Sequence, residues 1–252
     1  MLKLFNKMRK QLLDDNKTGR YLKYAVGEII LVMIGILLAL QVNNWNNDRQ
    51  LKKDELKVLK SLKEEFNENL QNFDIAYKFH LNRKKAIETI MAINPRELTL
   101  DSLRSLNRNI NENYTFDPFQ GIYNSVINSG KIELVSNDSL KLKIARFQDL
   151  LNDYKEEETN TMLFTQSNLY PFQLDNSKMK FKIFYSSVEG SEVEKMEFKQ
   201  NLIELLESEK YENLLIYIYS YMNSIFIEGP DLREEMLAII NILQSEIEKH
   251  EN

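Results

Sequence analysis

The sequence predicts an all-α protein: a single N-terminal transmembrane helix continuing into a long helix that packs in a periplasmic helical bundle, with one short β-arm. Three observations carry that expectation. Glycine and proline are scarce, seven and four in 252 residues, as a mostly helical chain requires. Twelve apolar residues run unbroken from Ile29 to Leu40. Between Trp45 and Pro95 there is no glycine or proline, and apolar positions recur at steps of three and four.

The apolar run extends to 19 residues, Tyr24 to Val42, interrupted only by Glu28 and Gln41. That approaches the ~20 residues a membrane-spanning helix needs. Seven basic residues precede the run, and Tyr21 and Tyr24 flank it on one side with Trp45 on the other. Tyr21, Lys23, Tyr24 and Trp45 therefore read as membrane-interface anchors. No small-x-small cleavage site follows, so the run reads as an uncleaved signal-anchor rather than a signal peptide. The positive-inside rule puts the N-terminus in the cytoplasm and the rest in the periplasm, on a bacterial inner membrane. The expected division is a basic cytoplasmic amphipathic segment over 1–23, the transmembrane helix over 24–43 and a periplasmic helical domain over 44–252. Residues 1–13 space Leu2, Phe5, Met8 and Leu12 as an interfacial helix would, although a disordered basic tail fits equally.

Charge supports this layout. Residues 1–43 carry seven basic and three acidic side chains, a net +4, which leaves −9 for the remaining 209. A basic head suits an anionic bilayer surface; an acidic body argues against nucleic acid. With no cysteine and only His80 and His250, disulfides, thiolate zinc sites and multi-histidine metal sites are excluded within one chain. No phosphate loop, dinucleotide fingerprint or nucleophile elbow occurs, so no enzyme activity, cofactor or metal is expected.

The body then reads as a succession of helices. The first, from Trp45 towards Asn94-Pro95, sets Leu59, Leu62, Phe66, Phe73 and Ile87 on one face, with Lys52, Lys53, Asp54, Glu64, Glu65 and Glu68 as its solvated side. Thr99 opens a short helix reaching about Ile110. Asp117-Pro118 reads as an N-cap and first-turn proline for a helix over Phe119–Asn128, which Gly130 closes. Ser136 or Asp138 caps a helix running from about Ser139 to Tyr170, where Pro171 ends it. "KMKFKIFYSS", 178–187, alternates as a strand or extended β-arm would. A helix from about Glu194 to Glu228 breaks near Ser208, and Gly229-Pro230-Asp231 turns the chain into a last helix, Leu232–Lys249. "LLIYIYSYMNSIFI", 214–227, is too short for a second span and reads as a buried helix.

Two stretches carry a resemblance. "GRYLKYAVGEIILVMIGILLALQVNNWNN" resembles the N-terminal signature of an uncharacterised family of bacterial single-span inner-membrane proteins, and "YNSVINSGKIELVSNDSLKLKI" is similar to its internal motif. Together they cover about a fifth of the chain. The resemblance implies an anchored helical body and brings no activity with it.

Glu28 is the sharpest candidate for function, because an ionisable group in a span is costly. At 100° per residue, Glu28, Val32, Gly35, Ala39 and Asn46 fall on one stripe. Gly35 and Ala39 form a small-x-x-x-small pair, which lets helices approach closely. The stripe reads as a transmembrane interface for a second copy or another membrane protein. Snorkelling of Glu28 towards Lys23 or Arg20, and a proton or ion path, are the alternatives. "NSGKIELVSNDS" reads as a helix–turn–helix joint rather than a binding loop. Glu156-Glu157-Glu158 and Glu234-Glu235 lack the spacing of a calcium loop and read as solvated faces; His80 reads as a structural or surface histidine. The expected function is a membrane-anchored scaffold or accessory subunit that oligomerises or docks through the stripe. A periplasmic ligand-binding or sensory body acting through a partner is the second expectation.

Overall fold

The computed structural model describes residues 18–178 and 191–251. Every regular element in that range is helical, with no strand among the described residues. The interfacial segment over 1–13 lies outside the described residues, as does nearly all of the expected β-arm.

The chain divides into two compact units, Met1–Glu55 and Leu56–Asn252. Helix α1, Thr18–Ala92, is 75 residues long, so the apolar run and the long body helix are a single element. In the first unit its most apolar 18-residue window has a mean hydropathy of 2.4, and none of that window is buried. Among the described residues this is the one helix long and apolar enough to cross a membrane.

The second unit is built on three long helices: α1 from Leu56 onward, α4 (Asp138–Phe164) and α7 (Glu209–Glu251). Cross-helix contacts fix their directions. Phe66 meets Phe147 edge-on at 4.9 Å, and Phe73 meets Tyr154 at 5.2 Å, so α1 and α4 run parallel. Asp74 pairs with Arg233 at 2.7 Å, Glu88 accepts from Tyr219 at 3.0 Å and Lys60 pairs with Glu251, so α7 runs antiparallel to α1. The core between them is the expected period of three and four made solid: Leu59, Leu62, Phe66 and Phe73 of α1, Leu140, Ile144, Phe147 and Leu151 of α4, and Leu215, Ile218, Met222 and Ile225 of α7 are all buried. The expected helix 214–227 is thus buried along one face, while Tyr217 and Ile227 on its other face are exposed.

Shorter helices close the ends. Thr99 caps α2 (Leu100–Asn111) through Ser102 N–H, as expected. Asp117-Pro118 does not start a helix; α3 is Gly121–Asn128 and its N-terminus is capped from a distance. The Glu65 carboxylate accepts from Ile122 N–H at 2.7 Å and Tyr123 N–H at 2.8 Å, satisfying two of the donors that a helix start leaves open. Asn69, one turn on, exchanges both hydrogen bonds with the Phe119 backbone. Glu65 is therefore not on a solvated face. Gly130 follows α3 at φ 72°, the left-handed geometry that a closing glycine supplies. Asn137, not Ser136 or Asp138, caps α4: its Oδ1 accepts from Leu140 N–H while its Nδ2 donates to Glu246.

Two prolines expected to end helices do not. After α4 the chain makes a five-residue π-helical turn, Thr165–Leu169, in which Tyr170 N–H reaches back to Thr165, and α5 (Tyr170–Asn176) then carries Pro171 in its first turn. The run from Asp138 to Asn176 stays helical throughout, and the wider turn at Thr165–Leu169 changes the hydrogen-bond ladder just before the residue that lacks an N–H. Pro230 lies inside α7, and Gly229 before it is not a turn residue. A Cβ on Gly229 would lie 2.5 Å from Tyr77 Cε2 and 3.2 Å from Tyr154 Cε2. The glycine is there because two aromatic rings pack against the α7 backbone. The break near Ser208 does appear, between α6 (Glu192–Leu206), opened by a Ser191–Glu194 capping box, and α7.

Candidate functional site

The predicted stripe lies along α1 in the first unit. Val32, Gly35, Ala39 and Asn46 are exposed and Glu28 is half-buried. A Cβ at Gly35 would meet nothing within 4 Å, so none of the described residues occupies this part of the helix surface. From Glu28 to Asn46 the helix rises ~27 Å, close to the ~30 Å thickness of a bilayer's hydrocarbon core. Trp45 is 64% exposed and Lys23 is also exposed; Tyr21 and Tyr24 belong to the same helix.

The body holds a second candidate that sequence reasoning missed, a row of buried polar side chains between α1 and α4. His80 Nε2 lies 2.7 Å from Glu158 Oε1, and the other Glu158 oxygen accepts from Phe116 N–H at 2.9 Å. Both residues are buried, so Glu158 does not belong to a solvated acidic face, and neither does Glu235, which pairs with Lys143 at 3.0 Å. Burial, together with the neighbouring Glu158 carboxylate, pushes the Tyr154 phenol well above its ordinary range.

One turn beyond His80, the Arg83 guanidinium is only 3% exposed. Nη1 donates to Asn113 at 3.0 Å and Nη2 to Thr165 Oγ1 at 2.9 Å, both neutral acceptors. Arg83 Nε has no acceptor, and no Arg83–carboxylate ion pair occurs among the described residues. Burial lowers its pKa to about 10, so the group stays cationic at neutral pH. Further out, Gln173 donates to the Tyr211 hydroxyl, which burial has pushed up to about 12.

The signal for this row was present in the periodicity. Phe73, Ala76, His80, Arg83 and Ile87 step by three and four on α1. Phe147, Leu151, Tyr154, Glu158, Thr161 and Thr165 do the same on α4. A polar residue in phase with an apolar stripe is a buried polar residue.

A family of unknown function, DUF6090, matches residues 28–224. The chain belongs to this family. The DUF6090 match takes in Glu28, Val32, Gly35, Ala39 and Asn46 of the stripe as well as His80, Arg83, Glu158 and Thr165 of the buried row. Neither a curated protein nor a solved structure matches the chain.

Proposed function

We propose that this DUF6090 protein is a membrane-anchored helical scaffold or accessory subunit. Its α1 would cross a bacterial inner membrane once, with the N-terminus in the cytoplasm and the helical body in the periplasm. The stripe Glu28, Val32, Gly35, Ala39 and Asn46 would hold a second copy or the transmembrane helix of another membrane protein. The observation that carries this reading is an 18-residue window of mean hydropathy 2.4 with no residue buried. A soluble protein hides such a surface in its core, whereas a bilayer accepts it. Gly35 and Ala39 open that surface to close backbone approach.

Crosslinking of the full-length protein in membranes tests the interface, followed by identification of the chains that co-purify. Gly35→Leu with Ala39→Leu should abolish the crosslinked species, and Glu28→Gln should weaken it. A wild-type protein that stays uncrosslinked with itself and with every co-purifying membrane protein would rule out the scaffold reading. A reporter active only in the periplasm, fused to the C-terminus, tests the orientation. The second reading, a periplasmic ligand-binding or sensory body, is favoured by one observation: the buried Arg83 guanidinium without a carboxylate partner among the described residues.

A further inference from the structure

A cation buried without an anion is expensive, and native proteins keep one only when something answers its charge. Among the described residues Arg83 is such a group: 3% exposed, bonded to two neutral oxygens, with its Nε–H unanswered. A second, independent irregularity lies beside it. Thr165 Oγ1 accepts from Arg83 and donates to the backbone carbonyl of Thr161 at 2.9 Å, so the Thr161 backbone is one hydroxyl away from the guanidinium. Thr161 is 2% exposed, and its own hydroxyl has no partner among the described residues. Thr159 and Thr165 on the same helix both donate to the carbonyl four residues back; Thr161 does not. Its hydroxyl is thus held away from the backbone acceptor that a helical threonine ordinarily takes. The π-helical turn begins at Thr165, at the residue that holds Arg83. Such turns concentrate at functional sites because the extra residue re-aims side chains at a fixed point.

We propose that Arg83 and Thr161 form a buried site for a small monovalent anion, either an inorganic halide or the carboxylate of a short ligand. Two unanswered donors, one of them charged, match an acceptor with one negative charge. Arg83, Thr161 and Thr165 are 3%, 2% and 0% exposed, so the site would be closed to bulk water. A guanidinium fork suits a carboxylate, and a hydroxyl beside it suits either anion. Bound there, the anion would neutralise the buried charge and couple α1 to the π-helical turn. This proposal gives the ligand-binding reading its chemistry and rests on that reading; it is independent of the membrane anchor.

Thermal unfolding of the full-length protein in detergent provides the test. Sodium formate or sodium chloride would replace sodium methanesulfonate, a larger monovalent anion without a carboxylate, at constant ionic strength, with a parallel series in neutral sugars. In the wild type, formate or chloride should raise Tm saturably, and whichever acts at the lower concentration identifies the source of the charge. Arg83→Gln should abolish the response. Thr161→Val removes a hydroxyl that has no partner and keeps the shape, so it should fold; it should raise the half-saturating concentration roughly fivefold, the loss of one hydrogen bond. If the anions stabilise wild type and both variants equally, or only the sugars stabilise and do so saturably at low concentration rather than by general surface exclusion, the anion site is overturned while a ligand-binding body stands. If nothing stabilises saturably, both are overturned.

Discussion

His80 and Glu158, 78 residues apart in sequence, meet at 2.7 Å between two parallel helices, and neither side chain is more than 7% exposed. Glu158 also holds Phe116 N–H, so one carboxylate joins α1, α4 and the irregular segment before α3. Replacing Glu158 with Leu leaves a buried imidazole nitrogen and a buried amide without their acceptor. The expected cost is ~3 kcal/mol, read from chemical denaturation of the full-length protein in detergent. His80→Leu should cost less, because Phe116 keeps its acceptor. The double variant should fall short of the sum, since the two residues share one network.

Gly229 and Pro230 should respond in opposite directions. Gly229→Ala places a methyl 2.5 Å from the Tyr77 ring, a clash that exceeds the ~1 kcal/mol by which alanine favours a helix. A net loss of ~1–2 kcal/mol is expected. Pro230→Ala restores an N–H to the helix interior at an exposed position, and should stabilise by about 1 kcal/mol. Two melting curves against wild type decide both signs.

These two residues also show where the sequence stops being legible. Thr99, Gly130 and the break near Ser208 were readable because their signals are local: a cap, a left-handed turn and a loss of period. Gly229-Pro230 carries the same local signal as a turn, and what overrides it is the packing of Tyr77 and Tyr154, 152 and 75 residues away. Glu65 and Glu158 failed to read as buried for the same reason: their partners, Ile122, Tyr123 and His80, lie 57 to 78 residues off. The stripe is the opposite case. Its phase along one helix follows from sequence alone, and α1 is a single continuous helix through Glu28 and Asn46.

Glu65 makes a prediction about local order. Glu65→Leu deletes both acceptors at the start of α3, so the amides of Ile122 and Tyr123 should lose hydrogen-exchange protection first. The expected stability loss is about 2 kcal/mol. Glu65→Gln keeps an acceptor oxygen for one amide and should lose roughly half as much.

Glu228 supplies a pH dependence. Burial, followed by the nearby Glu157, Asp153 and Glu156, raises its pKa above the ordinary carboxylate value. A raised acid binds its proton more tightly folded than unfolded. The folded state therefore loses stability as pH climbs from the ordinary carboxylate range through the raised value. Glu228→Gln should be more stable than wild type at neutral pH, and the difference should close in acid. A difference that persists unchanged below the carboxylate range would contradict the assignment.

The antiparallel course of α7 has a mechanical consequence. Lys60 pairs with Glu251, so the body's first turns and the chain's last ones lie together. Tension between Leu56 and the C-terminus would load that end and peel α7 from α1 one turn at a time, rather than slide the two helices past each other. Pulled in that direction, the body should yield at low force, whereas attachment at Ala92 and Glu251 would shear the same helix pair and meet far greater resistance.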